Sequence, residues 1–222
     1  MTAVDEHSEY WSKVARDYDR VVDQQLGLRT RSLVRERVST EENLGRLVEF
    51  GCGTGFYTET LAANAVAVVA TDLAPGMLAL AAERVRSPHV RFQPEDCQRS
   101  SFPDESFDTA VLSLVLHFTD ADATLAEMRR ILKPAGRLII ANPDPGALSG
   151  VDRARCWARI IYRGIVGFRV KPPKQFGRGM LTEKELLDRL RAHGFEIVAS
   201  ETLRDPSRRS NVPVEYITAI KA

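Results

Sequence analysis

A glycine-rich turn is the part of this sequence whose residue types and spacing point most directly to chemistry. It follows an apolar run over residues 47–50 and places glycines at alternate positions, Gly51, Gly53 and Gly55. Because glycine lacks a Cβ, the turn can bend sharply and let a ligand approach the backbone closely. A helix starting just after it directs free N–H groups at an anionic part of that ligand. The turn therefore predicts a site for a nucleotide-like cofactor.

The nearest alternative is a dinucleotide-binding loop, whose pattern is G-x-G-x-x-G/A. Here Phe56 stands where the last small residue should fall, and the third glycine comes one position early. Glu49 also lies two residues before the first glycine. The order Glu49-x-Gly51-x-Gly53-x-Gly55 resembles the first motif of the class I S-adenosylmethionine-dependent methyltransferases. The resemblance implies S-adenosylmethionine as cofactor, with the loop around its methionine end and Glu49 at its amino group.

Two acidic residues follow later predicted strands. Asp72 lies 21 residues after Gly51, where a carboxylate at a strand end can bind both ribose hydroxyls, or can instead cap a turn or helix. The resemblance implies that Leu73 packs on the adenine and that Asp96 accepts from the adenine amino group; a solvated loop acid is the alternative for Asp96. The implied cofactor-binding residues are Tyr18, Glu49, Gly51, Cys52, Gly53, Gly55, Asp72, Leu73, Met77, Asp96, Cys97 and Leu114.

Aromatic residues near the N-terminus are candidates for covering the site. Residues 10–19 resemble the family's N-terminal helical lid. The resemblance implies that Tyr18 reaches the cofactor's carboxylate, and that Tyr10 and Trp11 cover the substrate. An amphipathic helix that only anchors aromatic side chains in the core would explain the same pattern.

Two further candidates follow predicted strands four and five. His117 can act as a general base, because the unperturbed histidine pKa lies near neutrality, or it can simply shape the pocket. Asn142-Pro143-Asp144-Pro145 resembles a signature of methyltransferases acting on adenine amino groups, but that signature follows the fourth strand and this one follows the fifth. We interpret the segment as a turn and keep Asp144 as a candidate substrate contact.

Segment 151–179 is the most distinctive part of the chain, with eight basic residues and one acid, Asp152. Because the whole chain is only +1, the remainder is net negative. Arg155, Arg159 and Arg163 are spaced four residues apart and form one stripe on a helix. Such a stripe predicts an anionic substrate, a carrier-bound substrate or a membrane surface. A solvated helix face whose arginine stems cover the core is the alternative.

Strands and helices alternate after residue 45 and form the frame that holds these residues. Apolar runs predict strands over 47–50, 65–71, 90–93, 107–114 and 137–142, with helices over 57–63, 76–85 and 121–132. Strands rich in Val, Leu and Ile throughout are typical of a parallel sheet covered on both faces. Lys133-Pro134-Ala135-Gly136 predicts a turn that ends the third of these helices.

The C-terminal part has a different pattern. Thr182-x-x-Glu185 predicts a capping box for a helix over 183–193, and extended segments 195–203 and 214–221 follow. The predicted fold is a doubly wound α/β architecture whose mostly parallel, seven-stranded sheet has an antiparallel C-terminal strand. We expect one domain, comprising a lid (1–45), a cofactor-binding core (46–142), a basic substrate-covering insertion (143–181) and a C-terminal helix and hairpin (182–222).

Composition narrows the function classes. A chain of 222 residues can bury a sizeable core, and a net charge of +1 implies no overall attraction to nucleic acid. Three cysteines without paired spacing indicate a reducing, cytoplasmic setting, and the polar N-terminus is unlike a secretory signal. The histidines and cysteines lack metal-ligand spacing, so no metal is expected. The longest apolar run, 111–118, is too short to cross a bilayer, which leaves peripheral membrane contact.

Taken in order, the motifs over residues 10–142 resemble methyltransferases of the ubiquinone- and menaquinone-biosynthesis type. That resemblance implies in-line transfer of the sulfonium methyl to a small molecule, which is anionic, natural-product-like or lipid-like. Two alternatives remain: a non-catalytic cofactor-binding protein of the same fold, and a nicotinamide-dependent oxidoreductase, which Phe56 and the predicted hairpin disfavour. The sequence predicts neither the acceptor atom nor the oligomeric state.

Overall fold

The computed structural model describes residues 3–26, 29–168, 180–207, 209 and 211–222. Within these residues, seven strands form one sheet. The strands are β1 (Arg46–Phe50), β2 (Ala67–Thr71), β3 (Val90–Gln93), β4 (Phe107–Ser113), β5 (Leu132–Pro143), β6 (Phe195–Leu203) and β7 (Val214–Lys221). Their order across the sheet is β3-β2-β1-β4-β5-β7-β6; β7 runs antiparallel to both of its neighbours, β5 and β6, and the other adjacent pairs of these strands are parallel. This confirms the predicted mostly parallel sheet with an antiparallel C-terminal strand.

Helices cover both faces of the sheet. In the described residues they are α1 (Ala3–Leu26), α2 (Thr30–Val38), α3 (Thr58–Ala62), α4 (Pro75–Arg84), α5 (Ala121–Ile131), α6 (Gly150–Phe168) and α7 (Glu183–Ala192). One core cluster joins strand residues such as Leu112 to Leu125 of α5 and Leu186 of α7. A second cluster joins residues such as Val111 to α2, α3 and α4. Because adjacent strand residues enter opposite cores, the central strands β1, β2 and β4 are mostly buried and rich in apolar residues.

The direction of the strand order changes between β1 and β4. In a doubly wound sheet such a switch point opens a crevice at the carboxyl ends of the strands, and ligands bind there. The glycine turn after β1, Asp72 after β2 and the segment after β4 all lie at this edge. The fold thus brings together the candidate residues that the sequence separates.

The segment Lys133–Gly136 shows where local pattern and structure differ. The sequence pattern predicts a turn between helix and strand, but the segment lies inside β5. Leu132 pairs with Phe107 and the ladder resumes with Arg137 opposite Thr109, so the residues between form an irregular bulge. Ala135 adopts φ 59°, a left-handed conformation that costs an L residue about 1–2 kcal/mol. Because Leu132 already pairs with β4, the bend lies within β5 rather than before it.

The capping box at α7 is present as predicted. The Thr182 hydroxyl accepts from the Glu185 backbone N–H at 3.4 Å, and the Glu185 carboxylate accepts from the Thr182 backbone N–H at 2.9 Å. Gly194, at φ 73°, follows the helix end. These local signals define the helix because each satisfies backbone groups that a helix end leaves free.

Helix α1 lies against the beginning of α4. The Ser8 hydroxyl donates to the Leu73 carbonyl at 2.7 Å, and the Ser12 hydroxyl accepts from the Gly76 N–H at 3.2 Å. A Cβ at Gly76 would lie 2.9 Å from Ser12 Cα and from the Ser12 carbonyl oxygen. Glycine at this position therefore permits the close approach of the two helices.

We expect Gly76→Ala to lower the free energy of unfolding by about 1–3 kcal/mol, the usual cost of overpacking. Helix propensity alone predicts the opposite sign, since Ala in a helix is about 1 kcal/mol more favourable than Gly. Urea unfolding of the variant tests this, with Ala79→Gly on the exposed face of α4 as the calibration of propensity. A Gly76→Ala protein that is more stable than the native one would contradict the close packing of α1 on α4.

Candidate functional site

The three glycines after β1 have different surroundings. All adopt positive φ, 63° at Gly51, 54° at Gly53 and 78° at Gly55. A Cβ at Gly51 would collide with the Val115 side chain, and one at Gly55 would lie 3.2 Å from Ala81. At Gly53 the single described neighbour within 4 Å is Tyr18 Cε1, at 3.7 Å. Gly51 and Gly55 thus serve packing, whereas Gly53 borders open space beneath Tyr18.

Asp72 connects this loop to the beginning of α4. Its Oδ2 accepts from the Gly53 N–H and its Oδ1 from the Ala74 N–H, both at 2.9 Å. Burial raises the pKa of the carboxyl above its ordinary value, and the two backbone bonds oppose that shift. A carboxylate offers about four acceptor positions, so each oxygen retains capacity for another donor. The turn-capping role is therefore observed, and the ribose role remains compatible with it.

Glu49, at the end of β1, is the most unusual charged group of the site. It is 1% exposed, and its Oε2 accepts from the Thr58 hydroxyl at 2.6 Å. Its Oε1 is buried with no hydrogen-bond partner among the described residues. Burial raises the pKa of Glu49 to about 7. A buried carboxylate oxygen without a partner is costly, and a bound ammonium group would satisfy it.

Aromatic side chains of α1 lie above the loop. Trp11 makes edge-to-face contacts with Tyr10, Tyr18 and Phe118, at centroid distances of 4.9, 5.7 and 5.2 Å. Burial raises the pKa of Tyr18 to about 12, so its hydroxyl stays protonated at neutral pH and can donate. The Tyr57 hydroxyl is also buried, and the Arg31 guanidinium interacts with it. Two phenols thus lie near the loop, and that of Tyr18 can donate to an anionic group.

A charged network attaches α1 to the loop, and sequence reasoning missed it. Asp19 Oδ1 accepts from the Thr54 hydroxyl at 2.9 Å and from Arg31 Nη2 at 2.8 Å, while its Oδ2 accepts from Arg84 Nη2 at 2.6 Å. Burial would raise the pKa of Asp19, but the hydrogen bond from Arg84 and the charge of Arg31 lower it overall. These residues come from α1, α2, the loop and α4, so no short motif contains them.

His117 lies in a 3₁₀ turn, Leu116–Phe118, that follows β4. The ring is buried 3.8 Å from the Phe118 centroid, and its Nδ1 has no hydrogen-bond partner among described groups. Burial lowers the pKa of His117 to about 3, so the imidazole is neutral at physiological pH. Nearby Leu114 adopts φ 61°, which is strained for a bulky residue. The segment after β4 is thus held in an unfavourable conformation at the edge of the crevice.

The remaining cofactor candidates lie in the segments that follow β1, β2 and β3. Asp96 Oδ1 accepts from the Gln98 N–H at 2.9 Å, which orders the turn after β3. Cys52 and Cys97 are buried, and burial raises the pKa of both thiols, that of Cys97 to about 12. Met77 is buried with residues of α1, and Leu73 is half-buried beside Asp72. These thiols are protonated at neutral pH and contribute as small apolar groups.

Buried polar groups at the ends of β4 and β5 were not among the sequence candidates. The Ser113 hydroxyl and Asn142 Oδ1 have no hydrogen-bond partner in the described structure. On neighbouring β7, Glu215 accepts from the Thr202 hydroxyl, and burial raises the pKa of Glu215 to about 7. The signal that could have found Ser113 and Asn142 is their position at the carboxyl ends of adjacent parallel strands.

The predicted acceptor-side residues are placed differently from one another. The Asp144 carboxylate accepts from the Ala147 N–H at 3.2 Å and the Glu183 N–H at 3.1 Å, and so caps two turns. On α6, Arg155 is exposed and lies 3.8 Å from Asp152, whereas Arg159 is half-buried. The side chain of Arg163 lies outside the described residues. No group of three or more His, Cys, Asp or Glu in the described structure is arranged to hold a metal ion.

Comparison with known proteins identifies relatives of this chain. The methyltransferase domain family matches residues 48–140. The phosphatidylethanolamine N-methyltransferase of Cereibacter sphaeroides is 33% identical over 153 residues, covering 64% of this chain and 74% of that protein. The ubiquinone/menaquinone biosynthesis C-methyltransferase UbiE of Geobacter sulfurreducens is 33% identical over 179 residues, covering 74% and 67%.

Solved structures and longer relatives complete the comparison. The [4+2]-cyclase SpnF has the same fold, with a TM-score of 0.69 and 20% identity, over 96% of this chain and 94% of that one. The chain spans 31% and 44% of the length of two other curated proteins that it matches, so these relatives contain additional sequence.

Proposed function

The chain belongs to the class I S-adenosylmethionine-dependent methyltransferases, and we propose that it transfers a methyl group from S-adenosylmethionine to a small-molecule acceptor. The family and its cofactor agree with the sequence prediction. The observation that carries the proposal for this chain is Glu49, whose buried oxygen lacks a partner among the described residues, beside a loop with open space at Gly53. A nicotinamide-dependent oxidoreductase and a non-catalytic binding protein are not favoured by the relatives.

We assign each part of the cofactor to the residues whose chemistry suits it. The anionic oxygen of Glu49 suits the ammonium group, and the phenol of Tyr18 suits the carboxylate of the same methionine end. Asp72 has acceptor capacity for the ribose hydroxyls, and Asp96 for the adenine amino group. The side chains proposed to line the adenine and methionine parts are Cys52, Leu73, Met77, Cys97 and Leu114. When bound, the cofactor supplies an electrophilic methyl group on a sulfonium centre.

On the acceptor side, the chain's own residues orient the substrate and exclude water. Tyr10 and Trp11 cover the crevice from α1, and His117 offers a neutral imidazole after β4. Since burial lowers the pKa of His117 to about 3, it is a weak base, and we propose that it chiefly orients the acceptor through a hydrogen bond. Holding two reactants in line can contribute about 7–11 kcal/mol without a strong base. Relatives named for phosphatidylethanolamine methylation and for ubiquinone/menaquinone biosynthesis make a lipid-like acceptor our first choice.

The activity test is formation of S-adenosylhomocysteine with a panel of lipid-like, anionic and natural-product-like acceptors, followed by mass spectrometry. We expect one class to gain about 14 mass units, the mass of a CH₂ group, with the native protein and not with a variant that cannot bind cofactor. Tight cofactor binding with no turnover on any class would favour the non-catalytic alternative.

Three buried, free cysteines also support a cytoplasmic location as part of the proposal. Cys52, Cys97 and Cys156 form no disulfide in the described structure. Proteins with unpaired buried thiols are typical of reducing compartments. None of the helices within the described residues is long and apolar enough to cross a membrane.

We expect Asp72→Ala to weaken cofactor binding by about 1.5–3 kcal/mol, the range for hydrogen bonds to a charged group. Calorimetry with a 2′-deoxyribose analogue identifies the cause, because removing the hydroxyl should cost less in the variant than in the native protein. Asp72→Asn, which keeps an acceptor oxygen for the Ala74 N–H, is the control for the turn. Equal losses from the 2′-deoxy change in native and variant proteins would exclude the ribose role.

A further inference from the structure

The outward face of α6 carries an exposed apolar stripe. Five large hydrophobic side chains are exposed among the described residues, and three lie on this helix: Val151 at 65%, Ile161 at 57% and Tyr162 at 60%. Ala154 and Ala158 are exposed between them. Positions 151, 154, 158, 161 and 162 recur at intervals of three and four, so they lie on one side of the helix. The stripe extends about 17 Å along the axis.

This stripe is distinct from the face that α6 uses for packing. Cys156 is fully buried in a cluster with Leu148 and Val212, and Leu26 of α1 packs against that cluster. An ordinary solvated helix face carries charged and polar side chains, whereas this one carries Val, Ala, Ile and Tyr. A solvated face therefore explains the arginines of α6 but not its exposed apolar residues.

Positive charge accompanies the stripe. Arg155 lies on its flank and Arg153 lies farther round the helix; both are exposed, and the side chain of Arg155 is 70% exposed. The only acid in segment 151–179 is Asp152, which lies half-buried 3.8 Å from Arg155. Apolar side chains beside an excess of arginine are the combination by which helices lie in the headgroup region of anionic membranes. The partner must therefore be both apolar and negatively charged.

We propose that the outward face of α6 docks on the surface of an anionic lipid bilayer. The stripe is a straight, convex ridge, which a fluid bilayer can accommodate without a complementary groove. A second copy of the chain is disfavoured, because two-fold pairing of this face would place its arginines against each other. The inference goes beyond methyl transfer and does not rest on it. Because α6 contacts α1, docking would place the bilayer beside the helix that covers the glycine loop.

Vesicle sedimentation tests the proposal on the full chain. Vesicles of phosphatidylcholine with 30–40% phosphatidylglycerol, roughly the anionic content that gives a strong surface potential, are compared with pure phosphatidylcholine. We expect binding to the anionic vesicles only, weakening as salt screens the arginines. The triple variant Val151→Ser, Ile161→Ser, Tyr162→Ser should lower the partition coefficient more than about tenfold, because burial of each CH₂ group contributes to binding. Replacing Arg153 and Arg155 by Gln should lower it about fivefold per arginine.

The chain provides a matched control in its two other exposed hydrophobic residues. Val66 and Val198 are 80% and 59% exposed, and they lie beside β2 and in β6 rather than on α6. Val66→Ser with Val198→Ser should bind vesicles like the native protein. Failure of the native protein to bind, equal binding by the stripe variant, or loss of binding in the control would overturn the proposal. Stripe-dependent dimerisation, or binding to an acidic carrier protein but not to vesicles, would also overturn it. Cofactor affinity is measured separately, so that a failure of the membrane proposal can be distinguished from a failure of the methyltransferase assignment.

Discussion

Gly53→Val should weaken S-adenosylmethionine binding by about 100-fold or more, since forcing extra atoms into an occupied volume costs up to about 3 kcal/mol. The protein itself should stay folded. The position borders open space, and the nearest described side-chain atom to a Cβ at this position would be Tyr18 Cε1, at 3.7 Å. The folded protein can therefore accommodate a Cβ at this position, but the ligand cannot occupy the volume that the valine side chain takes. Calorimetric titration with thermal unfolding of the variant measures both effects.

Backbone strain at Gly53 requires its own control. The residue adopts φ 54°, and an L side chain in that region costs about 1–2 kcal/mol. Gly150 adopts φ 31° and has no atom of the described structure within 4 Å of its ideal Cβ position, so Gly150→Val introduces strain away from the loop. We expect Gly150→Val to bind cofactor normally. A folded Gly53→Val protein that also binds normally would show that the loop is assigned wrongly.

Glu49→Gln should weaken cofactor binding by about 1.5–3 kcal/mol at pH 8, because it removes the charge that the ammonium group requires. Burial raises the pKa of Glu49 to about 7 from 4.5, so the unliganded protein holds the proton more tightly than the unfolded chain does. Its contribution to stability is therefore present at low pH and is lost as pH rises from about 4.5 to 7. Cofactor binding depends on pH in the opposite direction, because the ammonium group of the cofactor favours the ionised carboxylate of Glu49.

The pH dependence of cofactor binding shows whether Glu49 acts through its charge or only through a contact that the variant loses. Native affinity should rise between pH 6 and 8, roughly one unit on either side of the pKa, with proton release on binding at the lower pH. Glu49→Gln should lose that dependence, whereas Glu83→Gln, at an exposed glutamate on α4, should retain it. Native affinity that is independent of pH over this range would contradict the placement of the ammonium group at Glu49.

Local patterns predicted the parts of the fold that depend on neighbouring residues. The capping box at Thr182, the glycine turn after β1 and the alternation of strands and helices are each encoded within a few residues. The turn at Ala135 was located correctly but lies within β5, because pairing of Leu132 with β4 depends on a distant strand. Element boundaries are therefore decided by pairing that the local pattern does not contain.

The site shows the same division. Glu49 and Asp72 were predicted as site residues because they lie at strand ends at a fixed spacing from the glycines. The network of Asp19, Arg31 and Arg84 was not found, because its members are brought together only by packing of α1 on α2 and α4. Likewise, the sequence showed that segment 151–179 is basic, but which side of α6 faces outward depends on its packing near Leu26.

Calorimetric titration of the native protein with S-adenosylmethionine, S-adenosylhomocysteine, NAD and NADP tests the central claim most directly. The glycine loop with Phe56 in place of a small residue, and Glu49 with an oxygen that no described residue satisfies, predict binding of both sulfur compounds and of neither nicotinamide nucleotide. Tight binding of NAD or NADP, with no heat from either sulfur compound, would contradict the account.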